Sequence, residues 1–220
     1  MEKLLENELT NWTMSTETLC EIQKKYSKYV IKKNCIKNLN YIAGADCSYK
    51  ENKSKCAIVV MRYPDLTIVD KSIIIRSTNS RYIPEFFALR EAPLIIECWK
   101  NVKIKPDCLI IHGHGIAHPR KFGLASHIGI ILNIPTFGCA ENLLYGKIQQ
   151  QNNNHIKYIL DENTQIIGAL IQTKIKAKPV IISIGHKISL IKAIEFALNC
   201  IKISKLPEPL RIAHLLSKLN

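Results

Sequence analysis

Three strand-like runs follow one another early in this 220-residue chain: 41–48 (YIAGADCS), 56–63 (CAIVVMRY) and 66–75 (LTIVDKSIII). Pro64 and Asp65 place a tight turn signal between the last two. The run of three predicts an antiparallel meander. The rest of the chain alternates. A helix is expected over 84–101, with Pro84 in its first turn and Phe87, Leu94, Ile95 and Trp99 recurring at helical spacing. A short apolar strand is expected at 107–111, then a glycine-rich loop, a helix near 123–132 and a strand near 134–139. Strands at 165–171 and 180–184 and a helix at about 189–202 complete the order. An earlier helix over 15–30 takes its cap from Ser15 or Thr16. The polar stretch 147–157 (KIQQQNNNHIK) reads as a surface loop, too short to divide domains. Strands that first pair and then alternate with helices predict one α/β domain over 1–220, a mixed β-sheet with helices packed on it.

Composition narrows the class. Hydrophobic residues at 47% and charged residues at 22% exclude a disordered or fibrous chain. Lys and Arg number 31 against 18 Asp and Glu, a net charge of +13. Such an excess attracts polyanions, above all nucleic acid. Abundant Ile, Lys and Asn would also follow from an A+T-rich genome, so part of the charge reads as a solvated face. None of the eight cysteines forms a Cys-x-x-Cys pair. They read as small buried hydrophobes in a reducing compartment rather than zinc ligands. The acidic N-terminal stretch lacks a signal-peptide core, and no window approaches 18 apolar residues. A cytoplasmic, monomeric protein with no membrane contact is the expectation.

Four features carry chemistry. Asp46 sits inside an apolar strand, where an acid is costly to bury without a partner. It reads as a metal ligand or as a strand-end residue facing water. Glu91 lies beside Arg90 next to the apolar side of its helix, and alone it reads as part of a salt-bridged face. The segment from His112 to Lys121 places His112, His114 and His118, glycines 113 and 115, and two cations directly after a strand. Ligands of open α/β sheets bind at such strand ends, and glycine lets backbone approach them closely. Finally, Tyr82, Ile83 and Pro84 precede a helix. This is the composition of a wedge that pries bases apart and equally of a hydrophobic staple.

Taken together, these segments resemble the endonuclease V family. The pieces are IAGADCSY at 42–49, RYIPEFFALREAP at 81–93, the long block at 105–140, IGHKISL at 184–190 and LPEPLRIAH at 206–214. The resemblance implies a ribonuclease H-like fold. It implies Mg²⁺-dependent cleavage, with Mn²⁺ as the alternative ion, at the second phosphodiester bond 3′ to deoxyinosine. The implied partner is DNA containing deoxyinosine, and inosine-containing RNA for some members. By the same resemblance Asp46 and Glu91 are metal ligands, and His118 positions metal or phosphate. Tyr82, Ile83 and Pro84 form the wedge, Gly113, Gly115 and Gly123 lie near the flipped base, and His186 matches a late histidine.

Two departures bear on the chemistry. The family usually has Asp-Gly-x-Gly where this chain has His112-Gly113-His114-Gly115, so His112 stands at a metal-ligand carboxylate. It usually has a lysine where this chain has Glu141, an acid for a catalytic cation. Imidazole suits Mn²⁺ and softer ions better than Mg²⁺, which prefers carboxylate and water. His112 is read as the substitute third ligand. Two readings stay open: a metal-dependent DNA repair endonuclease, or a non-cutting lesion- or nucleic-acid-binding protein on the same fold.

Overall fold

The computed structural model describes residues 8–10, 15–77, 86–149, 155–174 and 176–218. The wedge at 82–84 and the expected helix start at Pro84 lie outside them.

Among the described residues the chain forms a nine-stranded sheet with helices on both faces. The meander is β1 (Tyr41–Lys50), β2 (Lys53–Arg62) and β3 (Ile68–Ser77), paired antiparallel throughout. Next come β4 (Cys108–His112), β5 (Thr136–Ala140), β6 (Lys147–Ile148), β7 (Ile156–Leu160), β8 (Ile166–Ile171) and β9 (Val180–His186). The spatial order is β3-β2-β1-β4-β5-β9-β8-β7-β6. Among the described strands only the pairs β1–β4 and β4–β5 run parallel. The C-terminal ends of three parallel strands therefore meet at the centre of the sheet, where ligands of α/β folds gather.

Among the described residues five helices cover it: α1 (Thr16–Ser27), α2 (Phe87–Lys100), α3 (Leu124–Leu132), α4 (Leu190–Asn199) and α5 (Glu208–Ser217). Ser15 caps α1 through the Thr18 amide, as its position before the first apolar residue predicts. Strand alternation sorts the core onto two faces. Ile42, Cys108 and Ile110 join the cluster that holds Ala193, Leu210 and Ala213, on the α4 and α5 side. Ala43, Ala45, Leu109 and Ile111 join Ala92, Ile95 and Ile128, on the α2 and α3 side.

Two expectations change. The polar stretch 147–157 contributes β6 and the start of β7, because backbone pairing at a sheet edge needs no apolar run. The tail, quoted above only as a motif, is a helix, with Pro207 and Pro209 compatible with its opening turn. All eight cysteines are free; five are buried as expected of small hydrophobes, whereas Cys20 and Cys47 are half-buried and Cys35 is exposed.

Candidate metal centre and active-site cavity

Asp46 and His112 meet because their strands are in register. Ala45 pairs with Ile111 across the parallel β1–β4 ladder, so the next residues, Asp46 and His112, fall side by side on one face. His112 Nδ1 donates to Asp46 Oδ1 at 2.7 Å. A third residue arrives from α5: His214 Nδ1 donates to Asp46 Oδ2 at 2.8 Å, and Ser217 Oγ donates to the same oxygen at 3.1 Å. Ser48 Oγ donates to the Ser217 carbonyl and ties the helix end to β1.

Gly44 makes this approach possible. Any Cβ there would collide with the backbone of Pro209 and Leu210. The helix thus lies directly on β1, and His214, one turn beyond Leu210, reaches Asp46. Sequence reasoning missed His214 and Ser217. The available signal was the spacing Leu210, Ala213, Ser217, an apolar-to-small stripe of helical period.

Glu91 reaches the same cavity from α2. The cavity holds about 390 Å³ and is lined by Asp46, Glu91, His112, Gly113, His114, Glu141, Asn142 and neighbouring apolar residues. Asp46 is 5% exposed and Glu91 9%, yet their acidities diverge. Burial pushes the Asp46 carboxyl up, but bonds and charge from His112 and His214 outweigh it and hold the carboxyl below its ordinary value. Burial, reinforced by the charge of Asp46, pushes Glu91 up to about 8. Burial works against a charged His112, and Asp46 overcomes it, raising the imidazole.

These residues fit a divalent cation. The ligating atoms of Asp46, His112 and His214 all lie within 4.8 Å of one another. No described residue makes a hydrogen bond or ion pair with Glu91, a buried carboxylate for which a cation would be the natural partner.

The other candidates are distributed differently. His118 is buried outside the cavity, and its Nδ1 accepts the Arg120 amide at 3.2 Å. His186 is also buried, and its Nδ1 accepts the Ile31 amide at 3.3 Å. The three loop glycines have their amides engaged: Gly113 to the Cys139 carbonyl, Gly115 to Ser183 Oγ, and Gly123 to the Gly115 carbonyl. Of the three, only Gly113 lines the cavity.

The family profile described as Endonuclease V matches residues 24–215. An endonuclease V from Dictyoglomus thermophilum is 43% identical over 215 residues, covering 97% of this chain and 93% of that one. The chain belongs to the endonuclease V family. It is an endonuclease of a metal-dependent group, and its sheet is the ribonuclease H-like fold of that family. The crystal structure of the Bacillus subtilis endonuclease V superposes with a TM-score of 0.87 at 25% identity, covering 94% of this chain and 93% of that chain. An endonuclease V from Ciona intestinalis, crystallised in complex with a 24mer DNA containing an inosine followed by a ribo-adenosine, shares the fold. Its TM-score is 0.81 at 23% identity, over 91% of this chain and 96% of that one.

Glu141, which lines the cavity, is paired. Lys205 Nζ lies 2.9 Å from Glu141 Oε1, and this contact holds the Glu141 carboxyl below its ordinary value.

Proposed function

We propose that this chain nicks DNA at the second phosphodiester bond 3′ to deoxyinosine by metal-assisted hydrolysis. The observation that carries the reading is the convergence of Asp46, Glu91 and His112 at one cavity beside the parallel strand ends, with His214 bonded to Asp46 in the same cluster of ligating atoms. Asp46, His112 and His214 hold the cation, and Glu91 completes its charge. When bound, the ion supplies Lewis-acid polarisation of the phosphate and a water acidified enough to attack near neutral pH. Ser217 and the strand register fix the Asp46 carboxylate, so the ligand geometry costs little to assemble. Two imidazoles among the ligands favour Mn²⁺ over Mg²⁺. Lys205, held by Glu141, places positive charge at the cavity rim.

The substrate is bound without sequence readout. The +13 charge attracts phosphates. The flipped base enters the cavity beside the Gly113–Gly115 loop and Gly123. Tyr82, Ile83 and Pro84 fill the gap left in the duplex. His118 and His186 brace that loop and the chain behind it. We place the protein in the cytoplasm as a monomer, where free cysteines persist; among the described residues no helix is long and apolar enough to cross a membrane.

The test is a nicking assay on inosine-containing duplex DNA and on inosine-containing RNA, each with Mg²⁺ and with Mn²⁺, the cut being mapped at nucleotide resolution. Cleavage one nucleotide beyond the inosine, abolished by Asp46→Ala, is the expected result. Inosine-selective binding with no cleavage under either ion would leave the non-cutting reading instead.

A further inference from the structure

Between Ile22 and Ala45 the chain carries six lysines and no acid, six charges of a net +13. Lys25 is paired with Glu8 at 2.6 Å. Lys24, Lys28, Lys32, Lys33 and Lys37 are exposed and make no ion pair among the described residues. Tyr29 stands among them, 51% exposed, its ring set against that of Tyr26 with centroids 5.8 Å apart. Complementarity to the helix dipole accounts for Lys24 and Lys28 at the C-terminal end of α1. It does not account for Lys32, Lys33 and Lys37, which lie beyond the helix.

These lysines are mounted on pinned backbone. The Ile31 amide donates to His186 Nδ1 at 3.3 Å, and the Ile31 carbonyl accepts the Lys187 amide at 2.7 Å. The Cys35 amide donates to the Lys187 carbonyl at 3.1 Å, and Asn34 Nδ2 donates to the Ile36 carbonyl at 3.0 Å. At the other end, buried Gln23 accepts from Arg120 Nε, on the loop that follows β4. The lysines therefore form a strip from that loop to the turn after β9. None of them lines the cavity. Like charges held this close repel one another, and a polyanion laid along them relieves the repulsion while releasing its counterions. Duplex DNA, with one charge about every 1.7 Å of its axis, has the matching charge density.

We propose that this strip is a second DNA-contacting surface, which holds the phosphate backbone of the duplex flanking the cut. This rests on the DNA reading above and deepens it. Lys32, Lys33 and Lys37 neutralise phosphates from the pinned loop. Lys24 and Lys28 continue the contact towards Arg120, and the Tyr29 hydroxyl donates to a phosphate oxygen. The contact reads no base, so it acts on damaged and undamaged DNA alike and takes no part in the chemical step.

The experiment pairs a charge change with a change of flank length. The triple variant Lys32→Gln, Lys33→Gln, Lys37→Gln removes charge outside α1 and leaves the helix intact. A control triple, Lys71→Gln, Lys100→Gln, Lys103→Gln, removes the same charge from exposed lysines on β3 and at and just beyond the end of α2. Fluorescein-labelled duplexes carry one deoxyinosine with short flanks, or with one flank or the other lengthened, and an undamaged duplex matches each. Anisotropy titrations of the full chain across a salt series give affinities and slopes, and melting curves confirm that each variant is folded. The expected result is a loss of at least ~10-fold on a duplex with one flank lengthened, and none on the short duplex. On that long duplex the salt slope should flatten by roughly 2–3 units, one phosphate contact being worth about 0.9. Single-turnover nicking at saturating protein should match the parent, and the control triple should bind the long duplex like the parent.

A strip variant that binds every long duplex as the parent does overturns the proposal and leaves a solvated face. Equal losses on short and long duplexes overturn it too, as does the same loss in the control triple, since net charge alone would then be at work. A parent protein that binds inosine and undamaged duplexes equally removes the lesion reading instead. The strip stands in that case if its variant still loses affinity for long undamaged DNA.

Discussion

His112 and His214 stand edge to face, ring centroids 5.8 Å apart and planes at 89°, with the Asp46 carboxylate bonded to both. One imidazole comes from the end of a parallel strand and the other from the last turns of a C-terminal helix. Their shared carboxylate is therefore the point where the two halves of the fold close on each other. A pair of nitrogen donors at this point sets the first expectation, which concerns the ion.

Turnover and binding should both favour Mn²⁺ over Mg²⁺. Imidazole nitrogen is a poor match for Mg²⁺, which prefers oxygen ligands and holds its waters tightly. His112→Asp restores a carboxylate and should raise Mg²⁺-supported nicking by about 10-fold or more, equivalent to at least ~1.4 kcal/mol of regained charge interaction. Metal-swap kinetics and thermal shift with each ion measure this. Equal responses to Mg²⁺ and Mn²⁺ in the parent protein would remove the argument.

Glu91 gives a pH-dependent prediction for the metal-free protein. Its folded pKa is about 8 against an ordinary 4.5. A raised carboxyl contributes stability that is fully present below the unfolded value and lost as pH rises through the folded one. Glu91→Gln removes the titration while keeping the shape. In EDTA the variant should match the parent near pH 4.5 and exceed it above pH 8, by on the order of a few kcal/mol. Added Mn²⁺ should reverse the order by stabilising the parent far more. Melting temperatures across pH decide it, and a pH-independent difference between the two proteins would contradict the burial argument.

Gly44→Ala should cost stability and metal affinity together. The added methyl meets the backbone of Pro209 and Leu210, and backbone yields less readily than a side chain. Displacing α5 carries His214 and Ser217 away from Asp46. Overpacking of this kind costs about 1–3 kcal/mol. Calorimetry should show both the lowered melting temperature and a weakened Mn²⁺ isotherm. Full metal affinity in a destabilised variant would mean that α5 does not position the site.

The readable part of this site was the part carried by local pattern. Asp46 was visible as an acid in an apolar strand, and His112 as a polar residue at a strand end next to glycine. The meander was visible because Pro64 and Asp65 interrupt two β-rich runs. His214 was hidden for a different reason. It is 168 residues from Asp46 in sequence, and what joins them is a glycine whose importance lies in a helix that packs on it. Gly44 looks ordinary until α5 is placed. His118 lay in a polar cluster legible in the sequence, but its burial and its bond to the Arg120 amide depend on the turn of the loop and could not be read there. The strands β6 and β7 were hidden because the glutamine and asparagine run between them dominates the stretch and β6 itself is only Lys147–Ile148.

Glu141 and Lys205 supply the last prediction. The pair sits at the cavity rim, with Glu141 41% and Lys205 23% exposed. Its own contribution to stability should be small, about 0–1 kcal/mol for an exposed contact. Its effect on substrate should be larger and opposite for the two partners. Glu141→Gln leaves the ammonium group in place and frees it, so affinity for DNA and the nicking rate should both rise. Lys205→Met leaves a bare carboxylate facing an incoming phosphate, and both quantities should fall by about 10-fold. In the double variant neither charge remains, and it should lie between the singles rather than at their product, because the two residues act as one unit. Single-turnover nicking with Mn²⁺ and anisotropy at two salt concentrations report both effects. If Lys205→Met cleaves like the parent, Lys205 serves only to neutralise Glu141, and the cation for the scissile phosphate must come from elsewhere in the fold.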